Sequence, residues 1–194
     1  MHGVVLTAWY VGFFLQTALV AAHRTDLHRR LGWAGAGLAV AVFALNLIVT
    51  LAFVPRLRAL GLDVEAGMAG LSGIVWQNLA ALLSFAIFLP TAIALRHRAE
   101  THKRLMLLAS ISIVQPAIAR ISRWAVFDRL DPVLFSLGGL LLLLLALALY
   151  DLISTKRLHP VTVLGGSFFF GSRLFALLVI STSEFGRAFV SGLG

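Results

Sequence analysis

The sequence predicts an all-α fold, a polytopic transmembrane bundle built as a parallel repeat of helical hairpins. Three observations predict it. Of the 194 residues, 60% are hydrophobic and only 12% charged, whereas soluble domains are about half apolar and a quarter charged. The apolar residues fall into about six runs, each near the roughly 20 residues that a membrane-crossing helix requires. A segment rich in histidine and arginine occurs twice in one register. A soluble chain of this length could not cover so much apolar surface, because much of a small protein's surface stays exposed.

The first span is expected over about 4–22. It lacks a basic start and a small-residue cleavage site, so it reads as a span rather than a cleaved signal. The second runs from about 31 to 54 and stops before Pro55. The third covers about 74–95 with Pro90 near its end, and the fourth about 105–121 with Pro116 inside. Both internal prolines should kink their helices, and neighbouring helices can satisfy the carbonyls they free. The fifth begins at Pro132 and ends near 153; the sixth begins at Pro160 and ends near 180. A proline suits the first helical position, where no backbone N–H is needed. Asp26 is placed to cap the second span.

The repeat sets segment 14–31 against 88–105 without gaps. His23 aligns with His97, Asp26 with Glu100, His28 with His102 and Arg30 with Arg104. Apolar runs match by chance; histidines, an acid and basic residues in one register rarely do. The copies share an orientation, which is the mark of a parallel repeat. His159 after Lys156-Arg157 suggests a third, degraded copy. The chain then reads as one transmembrane domain, 1–194, with hairpins at about 4–54, 74–123 and 132–182.

Charge sets the expected orientation. The loop 23–30 holds Arg24, Arg29 and Arg30; the loop 96–104 holds Arg96, Arg98, Lys103 and Arg104; the loop 154–159 adds Lys156 and Arg157. With six spans these loops share one side, which the positive-inside rule makes cytoplasmic; the expected setting is a bacterial inner membrane. Asp63, Glu65, Asp128, Asp131 and Glu184 fall on the opposite side, together with Arg56, Arg58, Arg123, Arg129 and Arg187. The net charge of +8 therefore points to a membrane surface rather than nucleic acid.

Candidate chemistry is sparse. The chain has no cysteine, which excludes disulfides, thiolate metal sites and cysteine nucleophiles. It carries no phosphate-binding glycine loop, zinc-protease motif or paired intramembrane carboxylates. His28 and His102 should sit at equal depth at the mouths of two spans. There they are either interfacial residues or the two axial ligands of a b-type haem. His23, His97 and His159 are weaker candidates for a non-haem metal site. Arg29, Arg30, Lys103 and Arg104 lie in first helical turns, where the helix dipole opposes cations. An anion held among them, such as an anionic phospholipid phosphate, is one reading. Asn46, Gln115 and Arg173 lie roughly 15–25 Å in from the basic end of their spans, at 1.5 Å per residue. An arginine so deep is costly, so it should turn into the bundle or snorkel out toward Glu184. The unbroken leucines 140–145 give the fifth span a lipid face, whereas Ser110, Ser112, Gln115 and Arg120 give the fourth a protein face. Gly165, Gly166, Gly171 and Ser172 should let the sixth pack closely.

The segments His28-Arg-Arg-Leu-Gly-Trp33 and His102-Lys-Arg-Leu-Met106 resemble those of a bacterial family of uncharacterised multi-pass membrane proteins. The match extends to His2-Gly3, Phe14-Leu-Gln-Thr17, Tyr150-Asp-Leu152 and His159-Pro160. The resemblance implies the membrane fold, and an additional helix before the His-Gly pair, but no activity. Three functional readings stand: a non-enzymatic accessory or ligand- or lipid-binding protein, alone or in a larger membrane complex or homo-oligomer; a b-type haem redox protein; and a small-molecule transporter.

Overall fold

A computed structural model describes residues 2–193 except 125, 126, 128 and 129. The described residues form helices α1 (His2–Ala21), α2 (Thr25–Leu51), α3 (Phe53–Ala59), α4 (Met68–Ala94), α5 (Ala99–Ser112), α6 (Gln115–Ile121), α7 (Pro132–Thr155), α8 (Pro160–Phe175) and α9 (Glu184–Ser191). α8 continues through one π-helical turn, Ala176–Ile180. No strand occurs among them. Five helices are long and apolar enough to cross a membrane, and six spans result if the bent pair α5–α6 counts as one. The chain is an all-α bundle and a multi-pass membrane protein.

Several boundaries differ from expectation for local reasons. α2 starts at Thr25, so the basic residues 28–30 are helical rather than loop. Asp26 lies inside its first turn and makes no cap; it faces Arg24 at 3.8 Å instead. α2 ends at Leu51, and Pro55 falls in the first turn of the separate helix α3, a position that needs no N–H. α4 begins at Met68 and runs through Pro90 to Ala94. Pro132 and Pro160 do open α7 and α8, behind the caps Asp131 and His159. The expected outer-loop residues Asp128 and Arg129 lie outside the described residues.

Around Pro116 the fourth span breaks into α5 and α6, bent by 49°. The cause is a missing donor. In an unbroken helix the amide of residue 116 would bond the carbonyl of Ser112, four residues earlier, and proline has none.

α4 is the hub. It packs on α2, α5, α8 and α9, and 56% of its best spanning window is buried, against 6% for α1. Small residues permit this. Ser72, Gly73, Ala80, Ala81 and Ser84 of α4 are all buried, so neighbouring backbones approach closely. The main core joins Trp9, Val42, Phe85, Phe88, Leu108, Leu140 and Phe169. At Gly165 an added Cβ would lie 2.6 Å from the buried Leu108 side chain, which shows how tightly α8 meets α5. A second small core of Val54, Val64, Val75 and Val190 seats α3 and α9 against α4. α7 is peripheral, with Leu142 and Leu145 exposed and Leu140 fully buried.

Candidate functional site

Three groups of polar residues sit inside this apolar frame. The first lies at the end carrying the basic loops. Arg104 on α5 and Asp151 on α7 are 1% and 0% exposed and form an ion pair. Arg104 donates to Asp151 Oδ1 through Nε at 2.9 Å and Nη2 at 2.5 Å. Its Nη1 donates to the Glu100 carboxylate at 2.7 Å and to the Glu100 carbonyl at 2.8 Å. The other Asp151 oxygen accepts from the His159 backbone N–H at 3.0 Å and the Thr162 hydroxyl at 2.5 Å. Both carboxylate oxygens are thus occupied, so the pair is fully hydrogen-bonded, which a buried charge requires. It ties α5, α7 and α8 together. Lys103 stays exposed, bonded to Glu100 and seated 5.5 Å from the Tyr150 ring centroid.

The second group is at mid-depth. Arg173 on α8 is fully buried. It donates through Nη2 to the Ser112 carbonyl at 2.6 Å, the group that Pro116 leaves without a helical donor. Nη1 donates to the Phe169 carbonyl at 3.2 Å, and the guanidinium lies 4.0 Å from the Phe169 ring centroid. Tyr10 on α1 performs a similar service, its hydroxyl donating to the Ser110 carbonyl at 2.9 Å. The α5–α6 break is therefore held from both sides by side chains of other helices. Arg173 turns inward and bonds neither Gln115, Asn46 nor Glu184 among the described residues.

The third group lines a cleft of about 380 Å³ at the end opposite the basic loops. Its walls come from α2, α4, α6 and the start of α7, with His2 of α1 at one side. Four carboxamides face it: Asn46, Gln77, Asn78 and Gln115. His2 Nε2 meets Asn46 Oδ1 at 3.1 Å, and Asn46 Nδ2 donates to the Val42 carbonyl at 2.8 Å. Gln77 is 3% exposed, and neither end of its amide has a hydrogen-bond partner among the described residues. Gln115 is 9% exposed, and its Oε1 is also unpartnered. Leaving one buried polar group unmet costs about 1–3 kcal/mol.

The remaining expected site residues serve their own hairpins. With its amide oxygen toward Gly32, Gln16 accepts from the Gly32 N–H at 3.1 Å, and its nitrogen faces His28 Nδ1 at 2.5 Å. His102 Nδ1 donates to the Ala92 carbonyl at 2.8 Å, one of the last carbonyls of α4, which have no helical donor. His23 adopts a left-handed backbone conformation in the α1–α2 turn, and His159 caps α8 by accepting from the Val161 N–H. No group of three or more His, Asp or Glu among the described residues is arranged to hold a metal ion. Of the four basic candidates for anion binding, Arg29 and Arg30 are exposed, Lys103 is paired and Arg104 is buried against two carboxylates.

Sequence reasoning singled out Asn46, Gln115 and Arg173 but missed Gln77, Asn78 and His2 as companions of the first two. The adjacent carboxamides Gln77-Asn78 inside an apolar span were the available signal. For Asp151 the available signal was an acid within a spanning run, which calls for a partner such as the repeated arginine. His2 reaches Asn46, Gln16 meets His28, and the segments containing Arg104, Asp151 and His159 converge on one carboxylate. No family model, curated protein or solved structure matches the chain.

Proposed function

We propose that the chain is a non-enzymatic integral protein of the bacterial inner membrane that binds a small polar ligand in the cleft lined by Gln77 and Gln115. In this reading the loops 23–30, 97–104 and 154–159 are cytoplasmic, and the cleft faces the periplasmic half of the bilayer. The observation that carries it is a buried carboxamide with neither end partnered, Gln77, and a second with its oxygen unpartnered, Gln115, in the wall of one cavity. A packed structural helix would place apolar side chains there; amides left unmet are ready for a ligand or its water.

The chain has no cysteine, so single-cysteine probes are clean. Thr50→Cys, Asn78→Cys and Ser136→Cys should each react with a membrane-impermeant thiol reagent added from the periplasmic side, and Leu142→Cys should not. Silence at all three cleft positions would overturn the cleft as a binding site. The α5–α6 break beside Gln115 favours transport as the second reading, since interrupted helices line many transporter sites. Transport requires that Asn78→Cys also be reached from the cytoplasmic side in inverted vesicles.

A further inference from the structure

The cleft is one-sided in charge. Arg120 and Arg123 stand in its wall, both exposed, and no salt bridge among the described residues reaches either. No aspartate or glutamate lines it among the described residues. Three acids from the same end of the bundle are engaged elsewhere. Asp131 accepts from the Val133 and Leu134 N–H groups, Asp63 accepts from those of Glu65 and Ala66, and Glu65 pairs with Arg58.

The hydrogen-bond demand is two-sided. Gln77 Nε2 and the two guanidinium groups offer N–H donors, whereas Gln77 Oε1 and Gln115 Oε1 are acceptors still lacking a donor. A bare anion answers only the donors. A molecule that carries both an anionic oxygen group and hydroxyl groups answers both sets. Asn46, Asn78, Thr50, Ser136 and His2 add neutral polar groups, and Val49, Phe53, Ile74 and Leu82 are among the apolar part of the wall.

Resting on the ligand-binding reading above, we propose that the cleft takes a hydroxylated organic phosphate of the glycerol phosphate type. Its phosphate lies toward Arg120 and Arg123, and its hydroxyls donate to Gln77 and Gln115. This chemistry reaches the site in two ways, as the head group of an anionic phospholipid entering from the bilayer or as a free polyol phosphate entering from water.

The test uses the full-length Asn78→Cys protein reconstituted in phosphatidylcholine. Two methanethiosulfonates of similar size are compared, one ending in a sulfonate and one in a trimethylammonium, each rate normalised to a free thiol. A cationic cleft should favour the sulfonate by about tenfold or more, as focused fields do for ions of opposite sign. Adding Arg120→Gln and Arg123→Gln should erase the preference while labelling persists. Reaction with both reagents and no preference overturns the anion; no reaction with either sinks the cleft itself.

The trimethylammonium reagent then reads protection, because an anionic bilayer would accelerate rather than slow it. Slowing by phosphatidylglycerol in the bilayer, absent in the double arginine variant, identifies the lipid source. Slowing by soluble glycerol 3-phosphate in phosphatidylcholine identifies the free one. Slowing by neither overturns the assignment of a hydroxylated phosphate.

Discussion

At the residue scale, the Arg104–Asp151 pair and the Gln77 amide show opposite treatments of polarity in lipid. The pair is saturated: every oxygen of Asp151 has a donor, and Arg104 meets two carboxylates. Removing one partner of such a pair strands a buried charge, which costs about 3–5 kcal/mol, while replacing both by apolar residues is often neutral. Asp151→Asn should therefore lower the melting temperature in detergent sharply, and Arg104→Met with Asp151→Leu should recover most of the loss. Equal destabilisation by the single and double variants would show that the pair is not the cause. Gln77 is the reverse case, polar but unmet. Gln77→Leu should stabilise the unliganded protein by about 1–3 kcal/mol of relieved desolvation, read as a higher melting temperature. A drop would mean that water or lipid already satisfies the amide.

At the element scale, the α5–α6 break is a local defect repaired from outside. Pro116 frees the Ser112 carbonyl, and Arg173 supplies the missing donor from α8. Both residues stand out in the sequence: one is a proline in a span, the other an arginine among aromatic and small residues. What the sequence could not reveal is that they answer each other, because the link runs through a backbone carbonyl, which has no signature in residue identity. The prediction is a coupling. Arg173→Met should destabilise the protein less in a Pro116→Ala background, where residue 116 can again donate to Ser112. The interaction energy should be roughly 0.5–3 kcal/mol, as found for groups sharing a partner. Additive melts of the two substitutions would break the link. Tyr10→Phe should cost about 1 kcal/mol through the loss of its bond to the Ser110 carbonyl. At the other end of the bundle, Gly186 fixes the fit of α9. A Cβ there would lie 1.8 Å from the Ile180 carbonyl oxygen, so Gly186→Ala should detach α9 from Trp76 and quench or shift its fluorescence.

At the scale of the whole molecule, the bundle was legible because lipid imposes length and apolarity on every span, and both are read directly from composition. The position of α4 as hub was not, because a central and a peripheral helix are both apolar here. They differ only in whether small residues align with neighbours, and that depends on packing. For the same reason the cleft was half visible: Asn46 and Gln115 stood out singly, but their shared cavity with Gln77 is a property of three helices together. The orientation rests on charge and makes its own prediction. Cysteines at Thr25, Ala99 and Thr155 should be blocked only by reagents that enter the cytoplasm. Labelling of any one of them from the periplasm would reverse the assignment of sides.

The buried ion pair also has a consequence for how the chain is made. Arg104 precedes Asp151 by 47 residues, and the donors Thr162 and His159 come later still. During synthesis, α5 enters the membrane with a cation that has Glu100 beside it but whose buried partner Asp151 has not yet left the ribosome. Until α7 and the start of α8 arrive, burying that arginine at its final place costs more than in the finished bundle, because the Asp151 carboxylate is missing. The second hairpin thus gains its full stability only when the third is in place. Chains terminated within the α6–α7 connection carry an arginine paired with Glu100 alone, without the carboxylate that buries with it in the finished bundle.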